Sequence, residues 1–222
     1  MKDTKTGKDA AAKPNTGGSQ SRPNLIAGME LEEFLSEGSK YKLKIEKIVN
    51  ELGSSFSLLL AAAPADFSRA KIPLLKMFAK EKGIILYITF NQSASKLISE
   101  LGEKGIQPTS IFFIDMVSKE KGYETADKEN SMDFESPTQL TDLMLAVDEK
   151  LLGKKPGLVV LDSISTLLVY NDRETVQKFV HSLIAKVQKA NSKVVLLATK
   201  DSSSADALAT IGQFCDKFAV IE

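Results

Sequence analysis

The sequence predicts an α/β fold, a three-layer sandwich built around a mostly parallel, doubly wound sheet. Three observations lead to this prediction. From Phe56 onwards, apolar runs of strand length alternate with amphipathic stretches of helical length. The apolar runs are continuous, as expected for strands that are buried on both faces. Right-handed crossovers between such strands place helices on both sides of the sheet.

The predicted strands share large apolar side chains without a helical period. The polar excursion between Met116 and Phe134 is predicted as a loop with a short strand at its end. The other strands are predicted at residues 56–62, 84–90, 110–115, 157–163, 193–199 and 217–222.

The predicted helices have apolar side chains three and four positions apart, which gives each helix one inward face. Ser93 and Ser136 precede two of them and are predicted as N-caps, and Pro137 fits a first helical turn. The helices are predicted at residues 72–83, 93–105, 136–153, 172–190 and 205–214.

The N-terminal part of the chain divides into two segments. Residues 1–23 are rich in small polar residues and lysine, so we expect a disordered tail. Residues 24–53 show helical spacing and are predicted as an N-terminal helical segment, broken at Glu37–Lys40. Residues 54–222 then form the main domain.

Composition narrows the classes of function. The chain of 222 residues carries 29 basic and 29 acidic side chains, so overall charge gives no argument for binding nucleic acid. Its single cysteine, Cys215, excludes an intrachain disulfide and suits a reducing compartment. No apolar run approaches the roughly 20 residues that span a bilayer, and no signal peptide is recognisable. We therefore expect a cytoplasmic protein without a membrane partner.

A family resemblance emerges at Gly157–Leu168, "GLVVLDSISTLL", which is similar to a Walker B strand of the RecA/KaiC type. Gly83–Ile106 resembles the second strand and helix of KaiC-like ATPases, and Val176–Thr199 the helix and strand after Walker B. Cys215–Glu222 resembles their closing strand. The resemblance covers Phe56 to Glu222 and is to a group common in archaea. It implies the RecA-like fold of P-loop NTPases.

The resemblance also implies a phosphate-binding loop after the first strand, and this sequence departs from it. The pattern G-x-x-x-x-G-K-[ST] falls on Ala62, Phe67, Ser68 and Arg69, so none of its four residues is retained. Ala61–Lys71 contains no glycine. A benzyl group at Phe67 would occupy space that the phosphate needs. The Walker A loop is therefore predicted to be degenerate.

Pro73 predicts a shifted helix after this loop. Proline inside a helix removes a hydrogen bond and clashes with the preceding turn, at a cost of about 3 kcal/mol, whereas the first turn accepts it. We therefore expect the helix to begin near Ala70–Ile72, with its N-terminal dipole moved away from the phosphate position.

Other residues at the carboxyl ends of the strands are candidates for a residual nucleotide and Mg²⁺ site. Asp162 and Ser163 end the Walker B-like strand. Asn91 and Gln92 stand where KaiC-like ATPases carry a glutamate that activates water, and an amide cannot take that proton. For Asp162 we favour a role in bracing the neighbouring loop.

The interpretation is a non-catalytic RecA/KaiC-like domain that acts in protein interaction or regulation. We expect no cofactor, ATP with Mg²⁺ included, and no catalytic residue. A protein partner or a second copy of the chain would bind through a RecA-like assembly surface. Two alternatives stay open. One is an ATP-binding or weakly hydrolysing protein with an unorthodox loop, and the other is a nucleic-acid-associated accessory protein, although Arg69 and Lys71 add little charge for nucleic acid.

Overall fold

The computed structural model of the chain describes residues 37–81, 83–119, 122, 129–201 and 204–221. They belong to a compact unit that runs from Leu35 to Glu222. The predicted disordered tail at 1–23, and residues 24–36 of the predicted helical segment, lie outside the described residues.

The described strands form one parallel sheet with the order β4-β3-β2-β5-β6-β1-β7. The central strands are buried on both faces, as their continuous apolar runs predict. The predicted α/β class and the short strand after the polar excursion are confirmed. The strands are β1 (Ser57–Ala62), β2 (Ile85–Thr89), β3 (Ile111–Asp115), β4 (Ser131–Asp133), β5 (Leu158–Asp162), β6 (Lys193–Thr199) and β7 (Lys217–Ile221).

Helices cover both faces of the sheet, and each face has its own apolar core. Successive strand residues alternate between the two cores: Leu59 and Val159 lie in one, Leu60 and Val160 in the other. The second core is covered by α1 (Glu37–Asn50), α2 (Phe67–Phe78) and α3 (Ala94–Glu103). The first is covered by α4 (Leu140–Gly153), α5 (Ile164–Tyr170), α6 (Arg173–Lys189) and α7 (Ala205–Gly212).

None of these seven helices has the length and the apolar content that crossing a bilayer requires.

The helix after β1 begins earlier than Pro73 led us to predict. It begins at Phe67 instead of near Ala70–Ile72, so Pro73 lies in the helix interior. Leu74 and Leu75 are fully buried beside it. Burying each leucine contributes about 1.5–3 kcal/mol, so the two leucines together offset the proline cost of about 3 kcal/mol. The prediction was wrong because tertiary packing outweighs a local penalty.

The predicted cap of α4 was also wrong. The helix begins at Leu140, with Gln139 in the cap position, so Ser136 and Pro137 precede it. The side-chain oxygen of Gln139 accepts from the backbone N–H of Ser136 at 3.0 Å and from that of Glu135 at 2.9 Å. These bonds stabilise a turn where the sequence predicted a first helical turn. By contrast, Ser93 caps α3 as predicted and accepts from the Lys96 N–H.

Two further departures concern short segments. Glu37–Lys40, predicted as a break, is helical and belongs to α1. The helix α5 was missed, because its seven residues are too few to show a helical period. The only local signal was Ser163, whose hydroxyl accepts from the Thr166 N–H at 3.3 Å and caps the helix.

Candidate functional site

The candidate site lies where β2 and β5 end side by side. Thr89 pairs with Asp162 in the parallel register, and the Phe90 N–H donates to the Asp162 carbonyl at 2.6 Å. The loop that follows β2 therefore begins beside the loop that follows β5. This neighbourhood brings the predicted residues Asn91 and Asp162 into contact.

The Asp162 carboxylate is the centre of a buried polar cluster and is only 1 % exposed. One oxygen, Oδ1, accepts from Asn91 Nδ2 at 2.5 Å. The other, Oδ2, accepts a short hydrogen bond from the Tyr87 hydroxyl, and Lys71 Nζ lies 3.5 Å from it. Both oxygens thus have donors from protein side chains.

Lys71 supplies the countercharge of this cluster. It comes from the second turn of α2, and it is only 3 % exposed. An isolated buried carboxylate or ammonium is strongly unfavourable, so each of these two charges depends on the other. The predicted bracing role of Asp162 is consistent with these contacts.

Asn91 links the carboxylate to α5. Its side-chain nitrogen donates to Asp162, and its side-chain oxygen accepts a short hydrogen bond from the Thr166 hydroxyl. The Ser163 hydroxyl lies 3.1 Å from that of Thr166 and caps α5. Ser163 is therefore a capping residue within the cluster.

Gln92 is positioned differently from Asn91. Its backbone forms a turn with Thr89, whose hydroxyl donates to the Gln92 carbonyl at 2.7 Å. The side-chain oxygen of Gln92 is buried and has no hydrogen-bond partner within the described ranges. Gln92 and Asn91 thus have separate surroundings, although the sequence placed them in one candidate site.

The positions of the predicted phosphate loop do not form a loop in this structure. Ala62 ends β1, whereas Phe67, Ser68 and Arg69 form the first turn of α2. Phe67 is half-buried and packs against the core beneath α1, α2 and α3. Ser68 and Arg69 are exposed, and the guanidinium Nη1 of Arg69 lies 3.3 Å from Oδ1 of Asp66. The connection between β1 and α2 spans residues 63–66 and contains no glycine.

Asp115, at the end of β3, is a second buried strand-end acid, 1 % exposed. Its carboxylate accepts from the backbone N–H of Ala94, Val117 and Ser118, and from the Ser118 hydroxyl. It fixes the loop after β3 to the start of α3. Its surroundings are those of a structural acid.

A cavity of about 580 Å³ opens beside this cluster, between α5, α6, the end of β6 and α7. Thr166 and Thr199 line it together with Asp201. The loop that follows β6 therefore reaches this cavity, and Ser202 of that loop lies outside the described residues. No group of three or more His, Cys, Asp or Glu side chains suited to a metal ion occurs in the described part of the chain.

Sequence reasoning missed three members of the cluster. Tyr87 is the only polar side chain within β2 before Thr89, and this was the available signal. Thr166 lies in the helix that was not predicted. Lys71 was considered only as charge near the loop, because its burial depends on where α2 begins.

Cys215 is half-buried and is an unreactive thiol. Burial, and secondarily the charge of Asp216, raises the pKa of Cys215 to about 12. The thiolate, which is the nucleophilic form, is therefore negligible at neutral pH.

Tyr87 gives the cluster a pH dependence. Burial, followed by the charge of Asp162, raises the pKa of Tyr87 well above 10.0. The folded state keeps the phenol proton while the unfolded chain loses it above pH 10.0. The contribution of Tyr87 to the free energy of unfolding is therefore fully present below pH 10.0 and is lost as the pH rises through the folded-state pKa. The free energy of unfolding falls by at most about 1.4 kcal/mol per pH unit from this cause.

We expect Tyr87→Phe to remove this contribution and to lower stability at neutral pH by about 1–2 kcal/mol through the lost hydrogen bond. Urea unfolding between about pH 8 and about pH 11 measures the slope of stability against pH. Equal slopes for the wild type and the variant would contradict the assignment.

Comparisons with known proteins agree with this fold. The structure is similar to that of the KaiC-like protein PH0186 from the hyperthermophilic archaeon Pyrococcus horikoshii OT3, with a TM-score of 0.55 and 12 % identity. The similarity covers 74 % of this chain and 70 % of that one, and it supports the RecA/KaiC-like fold. The search of curated proteins finds no match. Residues 57–222, more than half of the chain, match a family model. The chain belongs to the family of unknown function (DUF7504).

Proposed function

We propose that this chain is a RecA/KaiC-like domain that does not use ATP and that acts through protein interaction or regulation. The observation that carries the proposal is the buried contact between Lys71 Nζ and the Asp162 carboxylate. The degenerate Walker A loop and the absence of a catalytic residue are parts of the same proposal.

A nucleotide site of the P-loop type needs a carboxylate that is available to Mg²⁺. In P-loop NTPases a strand-end Asp of the Walker B type helps to hold Mg²⁺. Here a lysine ammonium compensates the charge of Asp162, Tyr87 donates to the same carboxylate oxygen, and Asn91 donates to the other. A hydrated Mg²⁺ would have to displace a lysine that is 3 % exposed. These contacts support a domain that has replaced the metal with its own cation.

A nucleotide site also needs a loop that binds phosphate. A phosphate loop binds its ligand through backbone N–H groups that glycines allow to curl around the anion. Between β1 and α2 this chain has the short, glycine-free connection 63–66, followed by Phe67. Near Asp162 the amide of Asn91 cannot act as a general base. These features support the loss of both phosphate binding and hydrolysis.

Protein interaction is the activity that such a domain retains in this proposal. Leu145 and Leu152 are 63 % and 80 % exposed and lie two turns apart on α4. Val169 in α5 is 78 % exposed. Leu145 and Leu152 are seven residues apart and so share one face of α4, and this exposed apolar face supports binding of a partner or a second copy of the chain.

We expect Mg-ATP to leave the melting temperature of the protein unchanged. A ligand at 100 times its dissociation constant stabilises a protein by about 2.7 kcal/mol, which raises the melting temperature of a domain of this size by about 5–10 °C. Differential scanning calorimetry with Mg-ATP, Mg-ADP and Mg²⁺ alone measures the shift. Phosphate release is assayed in the same samples.

The control is Asp162→Asn, which removes the carboxylate that Mg²⁺ would need. A nucleotide-dependent rise in the wild type that Asp162→Asn abolishes would overturn the proposal. It would instead favour the ATP-binding alternative.

A further inference from the structure

A groove with a basic rim lies on the outer surface of the helix layer formed by α1, α2 and α3. Its volume is about 700 Å³. Ile72, Pro73 and Met77 of α2 line it with apolar surface and are half-buried. We call it the α1–α3 groove. It is separate from the Asp162 cluster, which lies beneath α2 at the carboxyl end of the central strand β5.

Positive charge is concentrated around this groove. Five cationic side chains line it against two acids, Glu46 and Glu100, although the whole chain has 29 of each sign. Among the described residues, Lys76 and Lys80 have no carboxylate partner. The five cationic residues are Lys42, Arg69, Lys76, Lys80 and Lys104.

The apolar lining indicates what such a groove can bind. Ile72 and Pro73 present aliphatic surface, and Met77 adds a flexible thioether that adapts to different ligand shapes. None of these side chains is aromatic, so the lining offers no stacking platform for nucleic-acid bases.

We propose that the α1–α3 groove binds an acidic segment of a partner protein, with apolar side chains on the segment's inner face and carboxylates reaching the lysines. Charge complementarity specifies such a partner and steers its approach. The inference rests on the proposed interaction function and names the chemistry of the partner. It does not depend on whether ATP binds.

The test is fluorescence anisotropy with the full chain and a fluorescein-labelled amphipathic peptide that has glutamates on one face and leucines on the other. We expect saturable binding that Lys76→Glu with Lys80→Glu weakens about tenfold or more. The matched control, Lys96→Glu with Lys189→Glu, alters the same charge on exposed lysines outside the groove and is expected to stay within about twofold. The melting temperature of each variant shows whether it is folded. Lys76→Gln with Lys80→Gln removes the two positive charges without reversing them.

A second variant tests the apolar lining of the groove. Met77→Gln keeps the length of the side chain but makes it polar. We expect this variant to weaken binding of the leucine-bearing peptide and to leave unchanged the binding of a peptide in which serine replaces leucine. Equal losses in the groove and control pairs would overturn the proposal. The proposal would also be overturned if a mixed-sequence single-stranded oligonucleotide bound more tightly than the acidic peptide and if Lys76→Glu with Lys80→Glu abolished that binding. The Mg-ATP result is independent of these outcomes, so failure here and failure of the proposed function are distinguishable.

Discussion

Asp162→Ala is expected to destabilise the protein by about 3–5 kcal/mol, because it leaves the Lys71 ammonium buried without a counter-charge. Lys71 is 3 % exposed, so solvent cannot replace the lost carboxylate unless α2 moves. The Tyr87 hydroxyl and the Asn91 amide lose their acceptor in the same variant. Urea denaturation measures the free energy of unfolding, and an unchanged m-value would show that the denatured state is not responsible.

The double-mutant cycle with Lys71→Met separates this effect from simple packing loss. Lys71→Met alone leaves Asp162 buried with two donors but without the ammonium. Lys71→Met with Asp162→Asn removes both charges, so we expect it to cost about 1–3 kcal/mol less than the sum of Lys71→Met and Asp162→Asn measured singly. Strict additivity would mean that the two groups do not interact.

A surface pair provides the matched control for that cycle. Lys178 Nζ lies 2.5 Å from Glu174 Oε1 on α6, and each side chain is 75 % exposed. Water screens such a pair, and its side chains lose entropy when they are held together. We expect Glu174→Ala to leave stability nearly unchanged, which would show that burial, and not the presence of an ion pair, gives Asp162 its effect.

The stability and the proposed function of this domain depend on the same contact. In an ATP-using relative, the strand-end carboxylate must stay available to the metal at some cost to stability. Here Lys71 Nζ lies 3.5 Å from the carboxylate, and in the function that we propose this pairing opposes Mg²⁺ binding. On that proposal, a nucleotide site would require the removal of Lys71 as well as glycines before Phe67.

The fold could be predicted because its signal is distributed along the chain. The strands β5 and β6 are continuous apolar runs, and the predicted 193–199 coincides with Lys193–Thr199. Helix ends were less predictable, since they depend on interactions that the local pattern does not contain. Gln139 delays α4 through side-chain bonds, and the burial of Leu74 allows α2 to continue past Pro73.

The candidate site could be predicted only in part. Asp162 and Asn91 were found because both follow apolar runs, and parallel strands end at one edge. Their contact depends on β2 and β5 being neighbours, which is a property of strand order. Lys71 reaches Asp162 only because α2 begins at Phe67, and Thr166 only because α5 exists. A wrong helix boundary therefore hid the countercharge of the site.

Asp115→Ala is the second large effect that we expect, a loss of about 3 kcal/mol or more. The carboxylate accepts from the backbone N–H groups of Ala94 at 2.6 Å, Val117 at 2.8 Å and Ser118 at 2.9 Å. Each buried donor left without an acceptor costs about 1–3 kcal/mol, and water entering the vacated space recovers part of that cost. Urea denaturation again gives the magnitude, and hydrogen exchange at the three amides identifies where protection is lost.

Ser118→Ala is the control for this change, because it removes only the hydroxyl that donates to Asp115 at 2.6 Å and keeps the three backbone bonds. We expect it to cost about 1 kcal/mol, well below the alanine variant of Asp115. A loss at Asp115→Ala as small as that of Ser118→Ala would mean that solvent satisfies the three amides without the carboxylate. The loop after β3 would then be an open cluster of N–H donors at the carboxyl edge of the sheet, and Asp115 could no longer be assigned a structural role.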